Sequence, residues 1–267
     1  MKNVINIGII GLGYVGTAIQ QNCDETWVNL CLLDTDPNKH TTGTYEDLHK
    51  CDGVFICVPS PQLPDGSCDG SILENVLSNF KNYRGVIISK TTLTPDIYSD
   101  LQKKYSNLVY CPEFLTANNS VVDYAAQDWV IIGGNTKAYQ QEANRIIKHT
   151  KQNTEPYYCT IEEAALVKYT INSFLATKVV FMNEMFALSK KIGADWNVIR
   201  ELLALDNRIG HSHTRVPGPD GFYGFGGMCF PKDTSALLYH ADNLGVSLSV
   251  LKEAVQKNTL LRLHEPK

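Results

Sequence analysis

A chain of 267 residues with 43% hydrophobic content is long enough to bury a sizeable core in one large domain or two smaller ones. Its formal net charge of −4 lacks the basic field of a nucleic-acid binder, so no nucleic-acid partner is expected. The longest apolar runs, such as residues 54–58 and 86–88, are too short to span a bilayer, so no membrane partner is expected either.

The opening MKNVINIGII runs directly into a glycine turn. It reads as a first strand rather than a signal peptide, and a cytoplasmic location is expected. The strand, over 4–10, leads into Gly11-Leu12-Gly13-Tyr14-Val15-Gly16, a G-x-G-x-x-G turn before a helix. In a dinucleotide site the first glycine makes the turn, the second admits a pyrophosphate and the third lets helix pack on strand. The helix N-terminus then offers free N–H groups and a positive dipole end to the phosphates. The next apolar run, 27–33, ends in Asp34, 18 residues beyond Gly16. An acid there can bind both adenosine ribose hydroxyls and would repel a 2′-phosphate, which points to NAD rather than NADP.

Further strand-like runs follow at 53–58, 85–89, 108–111 and 129–132, separated by helical or polar segments. Alternating β and α segments predict a parallel sheet, and ligands bind such sheets beyond the carboxyl ends of the strands. Those ends carry Pro59-Ser60-Pro61, Lys90-Thr91-Thr92 and Pro112-Glu113.

From Thr160 the pattern becomes helical. Thr160 and Glu163 form a capping box, and neither glycine nor proline interrupts the run before Gly193. The predicted helix is about 45–50 Å long, suited to a domain connector or a dimer contact. Lys168 and Asn172, four residues apart, share one face, with Asn183 close to that stripe. Lys168 reads either as a solvated helix residue or, given its apolar surroundings, as part of a polar pocket. A last helical region, 235–263, places Leu237, Leu238, Ala241, Leu244 and, after a break, Leu251, Val255 and Leu260 at packing positions. The expected division is an NAD-binding Rossmann-type α/β domain over 1–157, then an all-helical domain over 158–267 joined by the long helix.

Eight cysteines, at 23, 31, 51, 57, 68, 111, 159 and 229, form no Cys-x-x-Cys pair. No metal site is expected, and in a reducing compartment the thiols stay free. Cys31 and Cys57, inside strand-like runs, read as small core residues. Cys229 differs. It sits in GFGGMCFPKD, behind Phe225, Gly226 and Gly227 and ahead of Lys232 and Asp233. The loop either presents a thiol to a substrate or forms a tight turn around a buried cysteine.

Taken in order, GLGYVG, LLDTDPNK, FICVPSP, SKTTLTP, CPEFL, EEAALVKYTINSFLATKVVFMNE, DNRIG and GFGGMCFPKD resemble the UDP-glucose/GDP-mannose dehydrogenase family over nearly the whole chain. The resemblance implies oxidation of a nucleotide sugar's 6-hydroxymethyl group to a carboxylate, using NAD twice and one water. Cys229 would be the nucleophile, through a thiohemiacetal and then a thioester. Lys168 and Asn172 would steady the developing oxyanion. Asp233 would hold Lys168 or a water, Thr92 would position the hydrolytic water and Glu113 would act as its base. The cofactor would meet Gly11, Gly13, Tyr14, Val15, Gly16, Asp34, Lys39, Pro59, Thr92 and Lys232. The nucleotide-sugar substrate would meet Glu113, Phe114, Leu115, Lys168, Asn172, Phe225, Gly226 and Gly227. Arg208 would reach the substrate, including that of a partner subunit in a homodimer.

Three departures from the family carry expectations of their own. A second glutamate, four residues after Glu113, is here Ala117, so thioester hydrolysis is expected to be slow. The segment between Lys39 and Asp52 is short, which predicts a trimmed helix and strand. The sequence stops at Lys267, before the family's C-terminal nucleotide-covering domain, which predicts a compact form. Two other functions fit parts of the pattern: a β-hydroxyacid-type dehydrogenase transferring a single hydride, which needs no cysteine, and a non-catalytic NAD-binding relative.

Overall fold

The computed structural model describes residues 4–116 and 119–263. Two units divide the chain: one comprises Met1–Pro61 and Asp69–Lys168, the other Gln62–Cys68 and Tyr169–Lys267.

The first unit is a seven-stranded sheet with flanking helices. In chain order its elements are β1 (Ile5–Ile10), α1 (Tyr14–Gln21), β2 (Val28–Leu33), α2 (Tyr45–Leu48), β3 (Gly53–Ile56), α3 (Ser71–Ser78), β4 (Val86–Ser89), α4 (Pro95–Lys104), β5 (Leu108–Tyr110), α5 (Ser120–Ala126), β6 (Trp129–Gly133), α6 (Lys137–Ile147) and β7 (Glu155–Cys159). The strand order is β2-β1-β3-β4-β5-β6-β7. Strands β1, β3, β4 and β5 are almost wholly buried, which is why their sequences are continuous apolar runs rather than alternating ones. Ile7, Ile9, Phe55, Val86 and Ile88 form the centre of the core, with Ala18 and Ile19 of α1 and Ile146 of α6 packed over it.

The sheet departs from the all-parallel expectation at one place. β6 pairs with β5 antiparallel, through Tyr110 and Gly133, while β6 and β7 run parallel. An apolar run specifies that a strand is buried, not which way it runs. β7 lacks such a run: it lies at the sheet edge, where Pro156 is tolerated and Tyr157 and Tyr158 stay exposed. Between β2 and β3 the described residues hold only the four-residue α2 and no strand, and β2 forms the other edge. Cys31 and Cys57, expected in the core, are half-buried, Cys31 on edge strand β2 and Cys57 just past the end of β3.

The helix α7 (Ile161–Lys191) has 31 residues, about 46 Å at about 1.5 Å per residue. Its start is the expected capping box: Glu163 N–H donates to Thr160 Oγ1 at 3.2 Å, and Thr160 N–H donates to Glu163 Oε2 at 2.7 Å. At the other end Gly193 takes a φ of 72°. Beyond it come α8 (Trp196–Leu203), α9 (Phe230–Asn243) and α10 (Ser249–Arg262). The break expected within the helical region 235–263 separates α9 from α10, and the first of the two helices starts earlier than expected, at Phe230. Leu244 and Leu260 are exposed at 66% and 57%, because the chain turns at Gly245 and α10 turns Leu251, Ala254 and Asn258 inward, with Val255 and Leu261 half-buried against the same cluster. Gln62–Cys68 belongs to this helical unit: Gln62 Nε2 donates to Ser235 Oγ, which donates to the Gly66 carbonyl at 3.0 Å. Among the described residues no helix is long and apolar enough to cross a membrane.

Candidate active site

In the sheet unit, the turn after β1 explains its own glycines. Gly11 has a φ of 87°, and a Cβ there would lie 2.6 Å from the Cys57 carbonyl oxygen. A Cβ on Gly16 would lie 1.9 Å from the Gly11 carbonyl oxygen, so only glycine lets α1 pack this close. Around Gly13 nothing lies within 4 Å, which leaves open approach space at the helix start. Thr17 N–H is the first to bond back, to Gly13 O, so the N–H groups of Tyr14, Val15 and Gly16 stand ahead of the helical ladder. Val15 packs against the core while Tyr14 is 57% exposed.

Asp34 follows β2 directly. Its Oδ2 accepts Leu12 N–H and its Oδ1 accepts Asp36 N–H at 2.8 Å, which locks the carboxylate beside the glycine turn. Each oxygen keeps a lone pair for a ribose hydroxyl. Open space at Gly13, free helix N–H groups and a fixed acid at the end of β2 fit a dinucleotide. Lys39 is exposed in the loop beyond.

At the neighbouring strand ends, Pro59 is exposed and Thr92 is buried. Ser60 Oγ donates to the Thr92 carbonyl at 2.6 Å, and Thr91 Oγ1 donates to the Val58 carbonyl at 2.8 Å, tying the loops after β3 and β4 together. After β5, Glu113 Oε2 accepts Leu115 N–H at 2.8 Å. Lys168 Nζ donates to the Glu113 carbonyl and, at 3.1 Å, to its Oε1. The side chains are 5% and 14% exposed, so Lys168 is a buried, paired cation and not a solvated one. Its Nζ also lies 5.1 Å from the ring centre of Phe114, which rests against Trp129. Ala117 lies outside the described residues.

In the helical unit, Asn172 Nδ2 donates to Asp233 Oδ2 at 2.6 Å, and Lys232 Nζ donates to Asp233 Oδ1. Asp233 is only 1% exposed, so both donors are needed to keep its charge underground. Cys229 caps α9, and it is the exposed one among the eight cysteines. A tight turn around a buried cysteine is thereby excluded. Cys229 lies at the positive end of the α9 dipole, which favours negative charge there. Gly227 has a φ of 76° with nothing within 4 Å, and a Cβ on Gly226 would strike the Arg262 guanidinium. The Phe225 ring fills a core with Ala176, Val180 and Ala254.

Two residues that sequence reasoning missed or left without a role hold this loop. Asn258 accepts Phe225 N–H at 2.7 Å and donates to the Phe225 carbonyl at 3.0 Å. Asn183 Oδ1 accepts Gly224 N–H at 3.1 Å. A buried asparagine within an apolar helical stripe was the signal for both. Arg208, in the loop after α8, is 88% exposed and forks onto Asp206.

Burial pushes the thiols of Cys23 and Cys51 up to about 12 and those of Cys111 and Cys159 up to about 11. Iodoacetamide reacts with thiolates, so Cys229 is expected to be alkylated first, with peptide mass spectrometry as the readout. Labelling spread evenly over several cysteines would contradict this.

The profile of the UDP-glucose/GDP-mannose dehydrogenase family's NAD binding domain matches residues 36–151, and that of its central domain matches 162–260. The chain belongs to this family. Its sheet unit is accordingly an NAD-binding domain, in keeping with the turn at Gly11–Gly16. The chain is 33% identical, over 236 residues, to UDP-glucose 6-dehydrogenase of Rickettsia bellii, covering 85% of this chain and 53% of that protein. It is 27% identical to UDP-glucose 6-dehydrogenase YwqF of Bacillus subtilis, covering 95% and 66%. The chain thus spans about half to two thirds of the length of these relatives. Among solved structures, a UDP-glucose dehydrogenase from Pyrobaculum islandicum superposes with a TM-score of 0.81 at 23% identity, covering 97% of this chain and 69% of that one. The 3-hydroxyisobutyrate dehydrogenase of Mycobacterium tuberculosis superposes at 0.76 with 15% identity, covering 98% and 95%. Both likenesses speak to the fold.

Proposed function

We propose that the protein is an NAD-dependent dehydrogenase that oxidises the 6-hydroxymethyl group of a nucleotide sugar resembling UDP-glucose to a carboxylate. Family membership supports the substrate class, and the exposed Cys229 at the start of α9 carries the four-electron chemistry. The domain over 1–157 holds the cofactor through Gly11, Gly13, Tyr14, Val15, Gly16 and Asp34, with Lys39, Pro59, Thr92 and Lys232 as further contacts. The domain over 158–267 supplies the nucleophile.

NAD, when bound, supplies the hydride acceptor for both oxidations. Cys229 Sγ adds to the C6 aldehyde, and the thiohemiacetal oxygen collects negative charge that donors from Lys168 and Asn172 stabilise. Loss of the remaining C6 hydrogen as hydride leaves a thioester on Cys229. Thr92 orients a water and Glu113 takes its proton as it attacks the thioester, releasing the carboxylate and the thiol. Asp233 keeps Asn172 in place and receives a proton from the site. Two hydride equivalents and one water balance the conversion of hydroxymethyl to carboxylate. Phe114, Leu115, Gly226 and Gly227 line the sugar, with Phe225 anchoring the loop. Arg208 reaches the substrate of a partner subunit. A single-hydride reading draws on the likeness to 3-hydroxyisobutyrate dehydrogenase, but it gives Cys229 no task.

A homodimer built on α7 fits this reading. Phe174, Phe181 and Leu188 recur every seven residues and are 66%, 52% and 54% exposed, a spacing that places them on one face of a helix. Phe181→Lys is expected to weaken the dimer at least about thirtyfold, the effect of losing about 2 kcal/mol at a hot spot. Sedimentation equilibrium checks it; an unchanged association constant would exclude this face. The function itself is tested by adding UDP- and GDP-sugars to protein and NAD while following absorbance of the reduced cofactor. No reduction with any of them would defeat the proposal.

A further inference from the structure

Beside the Glu113 segment, the sheet unit contains a cavity of about 10 Å³, lined among others by Lys90, Glu113, Tyr124, Gln127, Trp129 and Lys151. That is room for about one water-sized species. Lys90, just past β4, is 7% exposed, and Lys151, between α6 and β7, is 8% exposed. Neither ammonium has a hydrogen-bond acceptor or an ion-paired carboxylate among the described residues. The one carboxylate lining the cavity is committed elsewhere: Glu113 is bound by Lys168 and by Leu115 N–H. Lys151 Nζ lies 4.9 Å from the ring centre of Tyr124, a contact that supports a cation without neutralising it.

Buried charges are normally paired, because an unpaired one loses its hydration and gains nothing in return. Here two cations share one small cavity whose one lining carboxylate, Glu113, is already paired, and among the described residues Asp128, which also acts on Lys151, forms no ion pair with it. We propose that the space between Lys90 and Lys151 is a binding site for a small monovalent anion of halide size. Both lysines donate to it, and Gln127 contributes to the wall. Burial, then repulsion from Lys90, pushes the Lys151 ammonium down to about 8, with Asp128 pulling weakly the other way. At neutral pH the lysine is still mainly charged, so the demand for a counter-ion persists. This inference rests on the sheet unit alone and does not depend on the proposed reaction.

Crystals of the unaltered protein grown in sodium bromide test it directly. One anomalous bromine peak within hydrogen-bonding reach of both ammonium groups is expected; a cavity with no such peak, or one holding water, would overturn the proposal. In solution, chloride should raise the melting temperature relative to gluconate at matched ionic strength. The chloride concentration giving half the effect should rise at least tenfold in Lys151→Met. An unchanged chloride dependence in that variant would count against the site. Lys90→Met provides a second variant with the same expectation, and if neither variant folds, the bromide peak alone decides.

Discussion

Cys229→Ser is expected to lower carboxylate formation at least about 1,000-fold, an effect of about 4 kcal/mol on the barrier. The reasoning is chemical. Oxidation of an alcohol to an aldehyde needs only a hydride acceptor and a base. Oxidation of the aldehyde onward needs an added nucleophile at carbon, so that a second hydride can leave from a tetrahedral centre. Sulfur supplies that nucleophile as a thiolate and later serves as a weakly basic leaving group for water, whereas a serine hydroxyl is scarcely ionised near neutral pH and adds far more poorly. The loop around Cys229 is held by positive φ at Gly227, a proline in the first turn of α9, and the Asn258 clamp on Phe225. Melting temperature should change little, because the side chain is exposed and packs no core. Steady-state turnover measured alongside thermal unfolding separates the two quantities. A serine variant with wild-type turnover would remove the nucleophile from the account and favour single-hydride chemistry.

Lys168→Met should lower turnover about 100- to 1,000-fold, the range for losing one donor to a developing oxyanion. It should also destabilise the sheet unit by about 3–5 kcal/mol, because the partly buried Glu113 carboxylate would lose its counter-charge. Those two effects have different origins, and Lys168→Arg distinguishes them. Arginine restores a cation beside Glu113, so most of the stability should return. Its longer, planar head cannot place a donor where the lysine ammonium sits, so turnover should remain at least about tenfold down. If Lys168→Arg recovered both, the lysine would be a structural ion-pair partner and its role in oxyanion stabilisation would be withdrawn.

Parts of the molecule that depend on local rules were legible in the sequence. The glycine turn is one: at Gly11 and Gly16 any side chain would collide with main chain, so the spacing of glycines encodes the geometry. The capping box at Thr160 and Glu163 is another, since both of its bonds form within one helical turn. What could not be read depends on partners distant in the chain. The antiparallel pairing of β6 is set by how the chain returns to β5, and the apolar runs of a strand are the same in either direction. Edge strand β7 needs burial on neither face of its tyrosines, so it carries no apolar run to announce it. The exposure of Cys229 follows from Asn183 and Asn258 fixing the loop from α7 and α10, tens of residues away. The burial of Lys168 follows from Glu113, which meets it from 55 residues back.

The ratio of reduced cofactor formed to nucleotide sugar consumed is the most direct measurement. Absorbance of the reduced cofactor and mass spectrometry of the sugar, taken from one reaction run to completion, give both numbers. Two cofactors per sugar, with a uronate as the product, is the predicted result. One per sugar, with an aldehyde or ketone left at the end, would contradict it.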